Sequence, residues 1–235
     1  MAETCLYCAA TLPVHQSWTT LFFQSPPKFV CQDCQAKLVP IKGKLCMKCS
    51  RPLDKLAPEF IHHDTCSDCI RWEKDKEWQD ILEKNISLYE YNDFARELIA
   101  RFKFRGDYIL ARLFAADIQK AVKTISYDHV TAIPLSESRL YERGFNQAEA
   151  LAREAGLKPL DLLTRLHTEK QSKKSRTDRI HLSNVFQIKR DLEISDKTIL
   201  LIDDIYTTGS TLRHAGKLLK QAGASKIFSL TLARG

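Results

Sequence analysis

No run of eighteen apolar residues occurs in the chain, so the sequence offers no membrane-spanning helix. The opening residues, Met1-Ala2-Glu3-Thr4-Cys5, lack the basic segment and apolar core of a signal peptide, and the expected location is cytoplasmic. Acidic side chains are in deficit: 29 Asp and Glu stand against 36 Lys and Arg, a formal charge of +7. That excess points to anionic partners, phosphorylated small molecules or nucleic acid, without choosing between them. Cysteine is missing after position 69, although eight are present up to and including it. The 235 residues have room for one ordinary α/β domain and a small appendage, and the cysteines mark the appendage.

The eight cysteines form four C-x-x-C pairs: Cys5/Cys8, Cys31/Cys34, Cys46/Cys49 and Cys66/Cys69. Four such pairs in so short a segment have the spacing of two zinc sites of four cysteines each. Disulfides are the competing reading, and the missing signal peptide argues against them. The simplest ligand sets are sequential, Cys5, Cys8, Cys31 and Cys34 on one ion and Cys46, Cys49, Cys66 and Cys69 on the other. The spacing equally permits a cross-braced pairing. Four thiolates leave no open coordination position, so both ions should be structural, stapling a segment with few long apolar runs. His15, His62 and His63 read as surface residues. Trp18, Phe22, Phe23, Lys28, Lys37, Lys42, Lys44, Lys48 and Arg51 suit nucleic-acid contact, or equally a small ribbon core with a solvated rim. This zinc-ribbon domain is expected over residues 1–75, closed by the charged Arg71 to Trp78 segment.

Residues 85–235 read as an α/β domain. Ile86 to Tyr91 is strand-like. Asn92 or Asp93 can cap a helix facing inward through Phe94, Leu98, Ile99 and Phe102. Gly106 should end it, and Asp107 should cap a second helix through Leu110, Leu113, Phe114 and Ile118. Between them Lys103 and Arg105 make a basic corner, fitted to a helix C-terminus or to a ligand. Val130 to Pro134 is the next strand, followed by a tight loop and a helix from Arg139 to Glu154. Leu160 to Leu166 is a further strand, Val185 to Ile188 a short edge strand, and Ile227 to Leu232 the last one.

The most informative stretch is Thr198 to Leu212. Ile199 to Ile202 has the length and branching of a strand buried on both faces. Asp203 and Asp204 follow, then the small polar loop Thr207, Thr208, Gly209, Ser210 and Thr211, then a helix facing inward through Leu212, Ala215, Leu218 and Leu219. Loop amides at a helix start can take a phosphate monoester, and paired carboxylates at a strand end can hold ribose hydroxyls or Mg²⁺. A lone Asp or Ser here would mean only a strand end or a cap. The ordered run resembles the phosphoribosyl-diphosphate (PRPP) motif of type I phosphoribosyltransferases. The resemblance implies that Asp203 and Asp204 bind the ribose hydroxyls and that Thr207 to Thr211 wrap the 5′-phosphate. It also implies that the loop after the first core strand, Leu135 to Ser138 and including Ser136, receives pyrophosphate. A mobile basic lid then falls on Lys170 to Arg179, with Gln171, Lys173, Lys174, Arg176 and Arg179. On composition alone that segment is equally a solvated charge run.

Arg139-Leu-Tyr-Glu-Arg143-Gly144-Phe145-Asn146-Gln147-Ala148 resembles the R-x-x-x-RGFNQ-A signature of the ComF family of competence proteins, ComFC type. Phe104-Arg105-Gly106-Asp107 and the cysteine-rich start fit the same family. The resemblance implies a double zinc ribbon before a phosphoribosyltransferase-like parallel sheet, and a part in DNA uptake during natural transformation. It implies PRPP with Mg²⁺ as ligand, and single-stranded DNA or a helicase-like competence protein (ComFA type) as partner. On physical grounds alone Arg143 and Asn146 could be a helix-surface cation and amide; one helical turn apart beside the loop that the resemblance gives to pyrophosphate, they should face an anion. An active phosphoribosyltransferase and a PRPP-sensing regulator remain the alternatives, and no segment reads as a base-recognition hood.

Overall fold

In a computed structural model, described for residues 4–12, 29–104, 106–166, 185–189 and 193–235, the chain opens with short elements. These are helix α1 (Gln32–Lys37), the antiparallel strands β1 (Ile61–His62) and β2 (Thr65–Cys66), and helix α2 (Ser67–Lys74). The rest runs β3 (Lys84–Glu90), α3 (Asp93–Phe104), α4 (Ala115–Val122), β4 (His129–Ala132), α5 (Glu137–Arg143), α6 (Gln147–Glu154) and β5 (Leu163–Arg165). It ends with β6 (Phe186–Ile188), β7 (Thr198–Tyr206), α7 (Ser210–Gln221) and β8 (Lys226–Arg234).

Four strands make one parallel sheet in the order β3-β8-β7-β4. Strand β7 shows why both its faces are apolar. Leu200 and Ile202 pack with Phe102, Leu110, Ile118 and Leu151 from the helical layer on one side. Ile199 and Leu201 pack with Leu212, Ala215 and Leu219 of α7 on the other, beside Cys46, Cys49, Cys66 and Cys69. The alternation is the period-two consequence of a strand between two layers.

The cysteine-rich part straddles the β3 edge of the sheet. Its first cysteine cluster reaches the α3 layer, where Tyr7 stacks edge-on against Phe94 at 4.8 Å and Arg101 Nη1 donates to the Tyr7 carbonyl at 2.5 Å. The connection onward lies along β3, with Ile41 N–H bonded to the Leu88 carbonyl and Glu90 N–H to that of Val39. This covers an edge that would otherwise expose unpaired backbone groups. The second cysteine cluster meets the other face across a polar seam. There Ser50 Oγ donates to the Asn85 carbonyl, Asn85 Nδ2 to Ser87 Oγ, and Ser229 Oγ to Asn85 Oδ1.

Four expectations need correction. The helix expected after Asp107 is a 3-10 turn over Tyr108–Phe114 followed by α4. Asp107 makes no side-chain cap, because its carboxylate pairs with Arg101 at 2.5 Å. The helix expected from Arg139 to Glu154 is two helices. Gly144 takes a left-handed φ of 78° and Asn146 Oδ1 accepts from the Ala148 and Glu149 amides, ending α5 and starting α6. The strand at Phe186–Ile188 is not on the edge of the main sheet but pairs antiparallel with β5 in a ribbon of its own. Leu160, expected to open that earlier strand, instead bonds through its N–H to the Val130 carbonyl of β4.

Candidate functional site

Strand β7 does not stop at the acids. Pairing with β8 continues through Asp203↔Thr231 to Tyr206↔Arg234, which fixes both carboxylates on ordered backbone. Asp203 Oδ1 accepts the Asp204 N–H at 2.9 Å, and Asp204 forms an ion pair with Lys103 from the last turn of α3. The two acids lie on the wall of a cavity of about 260 Å³. Leu135, Arg139, Arg143, Asn146 and Gln147 line it from the β4–α6 side, Arg165 from β5, and Thr207 and Thr211 from the loop into α7. Four cations therefore surround two carboxylates.

The electrostatics favour a ligand with both anionic and cation-bound parts. Burial, and then the neighbouring Asp204 charge, push Asp203 up to about 7, while Lys103 and Arg165 pull the other way. Arg143 and Arg165 are each shifted downward, chiefly by burial. Arg143 lies over the Phe104 ring at 5.4 Å and donates through Nη1 to Gln147 Oε1 at 2.9 Å; its buried Nε has no partner among the described residues. An orphaned guanidinium nitrogen at a cavity wall costs free energy unless an acceptor arrives.

The loop expected to wrap a phosphate leads straight into α7. Gly209 takes φ 78° as the residue before the helix. A Cβ there would fall 2.2 Å from Tyr206 Oη and 2.4 Å from Arg213 Nη1, so only glycine fits. Thr207 and Thr211 face the cavity, whereas Thr208, Gly209 and Ser210 form the loop's own frame, with Ser210 N–H bonded to Thr208 Oγ1 at 3.3 Å. Their amides precede a helix of 12 residues, where an anion is favoured.

Not every expected contact is free for a ligand. Ser136 caps α5 by accepting the Arg139 N–H, and Asn146 caps α6 while its Nδ2 donates to the Ile133 carbonyl at 3.0 Å. Both polar groups thus hold the frame of the site. Arg165 joins the wall although nothing in the sequence singled it out, Gln147 of the RGFNQ run joins it too, and Lys103 lines the cavity as well as ending a helix. The lid residues Gln171, Lys173, Lys174, Arg176 and Arg179 lie outside the described residues, as do His15, Trp18, Phe22, Phe23, Lys28 and Arg105.

The eight thiols gather sequentially: Cys5, Cys8, Cys31 and Cys34 in one group, Cys46, Cys49, Cys66 and Cys69 in the other. The sulfurs of each group lie within 4.8 Å of one another. The cross-braced alternative falls away. The second group is wholly buried, and beside it lies the buried Arg234, while the buried Arg213 packs on Trp72 of α2. Arg234 Nη2 reaches Cys49 Sγ at 3.9 Å, while Arg213 Nε and Nη2 and Arg234 Nε have no partner among the described residues. A buried cation reaching these sulfurs suits a doubly negative zinc tetrathiolate, whose charge it partly offsets. Zinc there would be structural, with every coordination position filled by the chain. His62 and His63 stay outside both groups, and His62 contacts Ser67 Oγ instead.

Comparison with known proteins places these features together. A phosphoribosyl transferase domain model matches residues 140–235, which contain the acids and the loop. The chain is 37% identical over 234 residues to the competence protein ComFC of Bacillus subtilis, covering 98% of this chain and 94% of that one. It is 32% identical over 231 residues to ComFC of Streptococcus pneumoniae, covering 98% and 99%. A more distant relative, 25% identical with 87% and 96% covered, is the DNA utilization protein YhgH of Escherichia coli.

Proposed function

Because the chain belongs to the ComFC family of competence proteins, we propose that it handles incoming DNA during competence with a PRPP- and Mg²⁺-binding pocket at its centre. The relatives' names, competence and DNA utilization, support the first half. The second half rests on one observation: Asp203 and Asp204 share a cavity with Lys103, Arg139, Arg143 and Arg165 at the carboxyl ends of parallel strands. Ligands of open α/β sheets bind at such strand ends.

In this reading Asp203 and Asp204 hold the ribose hydroxyls or the ligand's Mg²⁺, and the Thr207 to Thr211 amides hold the 5′-phosphate. Arg139 and Arg143, beside Leu135, take the pyrophosphate. A zinc-ribbon unit over residues 1–75 and a ligand-binding unit over 85–235 then divide the work. Single-stranded DNA or a helicase-like competence protein is the macromolecular partner, and exposed Phe104, Tyr108 and Tyr141 are the aromatic side chains near the basic rim.

Thermal shift with PRPP and Mg²⁺ tests the pocket. The wild type should be stabilised, by about 2.7 kcal/mol at a hundredfold excess over Kd, and Asp203→Asn with Asp204→Asn should lose the effect. An unchanged shift in the double variant removes the assignment. Pyrophosphate release on adding any of a panel of bases would replace binding by turnover.

A further inference from the structure

The phosphate loop is seated on the cysteine-rich part of the chain. The carbonyl of Thr208 accepts from Trp72 Nε1 at 3.0 Å. Trp72 belongs to α2, three residues beyond Cys69. The same indole ring carries the Arg213 guanidinium 4.7 Å from its centre. Arg213 is fully buried, donates through Nη1 to Tyr206 Oη at 2.8 Å, and lies directly beneath Gly209. On the other side of Tyr206, Arg234 stacks 4.9 Å from the ring and approaches Cys49 Sγ. A continuous buried path thus runs from Cys49 and Cys69 to the backbone of Thr208 and Gly209.

We propose that Trp72 and Arg213 are positioning residues that tie the geometry of the phosphate loop to the second cysteine site, so that a phosphate monoester is held best when that site is closed round zinc. The inference rests on the phosphate-loop reading above and adds what controls it. Two arguments carry it. Thr207, Thr208 and Thr211 are exposed, so the loop is held from below, and amides aimed at an anion lose much of their effect when displaced by an ångström. An ordinary packing interface would be apolar, yet this one buries two arginines with orphaned nitrogens. Arg234, which reaches Cys49 Sγ, is compensated by the negative charge of the tetrathiolate, and Arg213 is held between Trp72 and Tyr206.

The test uses the full zinc-loaded chain and its Trp72→Phe variant, which keeps a ring for Arg213 and loses the donor to Thr208. Each is titrated calorimetrically with ribose 5-phosphate and with pyrophosphate. Loss of the single hydrogen bond is expected to weaken ribose 5-phosphate roughly three- to tenfold. Pyrophosphate affinity and zinc content should not move. Equal ribose 5-phosphate affinity in both chains overturns the proposal and leaves the pocket reading standing. An equal loss for both ligands also overturns it, since that is general loosening. A wild type that binds neither ligand removes the pocket reading, and the proposal with it. A second arm needs only the wild type: by reciprocal linkage, saturating ribose 5-phosphate should raise the chelator concentration needed to remove one of the two zincs at equilibrium, read with a chromogenic chelator. No protection of either ion overturns the coupling.

Discussion

Asp203 gives the site a pH dependence with two opposite signs. In the folded chain it keeps its proton up to about 7, whereas the ordinary value, 3.8, applies when unfolded. Between those values the folded state binds more protons, so stability of the unliganded protein falls as pH rises through that window. A ligand that carries Mg²⁺ needs the carboxylate ionised, so its affinity should rise about tenfold per pH unit below 7 and level off above. Asp203→Asn should flatten both profiles; calorimetric titration and urea unfolding from pH 5 to 8.5 read them out. Two glycines make a matched pair at the same scale. Both Gly144 and Gly209 have φ 78°, but a Cβ at Gly144 meets nothing within 4 Å. Gly144→Ala should therefore cost only backbone strain, about 1 kcal/mol. Gly209→Ala adds a collision with Tyr206 and Arg213 and should cost clearly more, about 2–4 kcal/mol by urea unfolding. Sequence alone could not separate these two glycines, because the difference lies in what packs beneath each.

At the scale of elements, β7 and the loop after it were legible because order and spacing were constrained together: apolar strand, two acids, hydroxyl loop, helix. The break between α5 and α6 is written in Arg143-Gly-Phe-Asn, with a C-terminal glycine and an N-cap asparagine. The flanking residues keep a helical pattern, and that hides it. Arg165 carried no signal, being one basic residue in a three-residue strand whose partner β6 arrives from distant sequence. Arg213 sits among Leu212, Ala215 and Leu219 and carried no signal of its own; Trp72 of the cysteine-rich layer covers it. The segment from Gln171 to Arg179 permits a prediction from charge alone. If it contacts single-stranded DNA through phosphates, neutralising Lys173, Lys174, Arg176 and Arg179 should flatten the dependence of log affinity on log salt by roughly 0.7 per lost contact. An unchanged slope in filter binding assigns the DNA contact elsewhere.

In the whole molecule, the cysteine-rich part is a layer rather than a pendant. One sulfur group joins the α3 face and the other the α7 face, and the chain between them covers β3. Length and composition suggested an appendage, since neither tells where a small module docks. Metal analysis should give two zinc ions per chain. Stripping them with a strong chelator should lower the unfolding temperature of the sheet itself, in one calorimetric transition, because the second sulfur group shares a hydrophobic cluster with Ile199 and Leu201. Two separate transitions, the later one unmoved by chelation, would mean independent units.

The strand order has a consequence for synthesis. Strand β8 is the last to be made, yet it lies between β3 and β7 and carries Arg234 to Cys49. At ~5–20 residues per second, the cysteines of the second site emerge on the order of ten seconds or more before the sheet that buries them exists. During that interval the nascent thiols stand open to oxidation, and zinc captured early would carry them intact to the moment of closure.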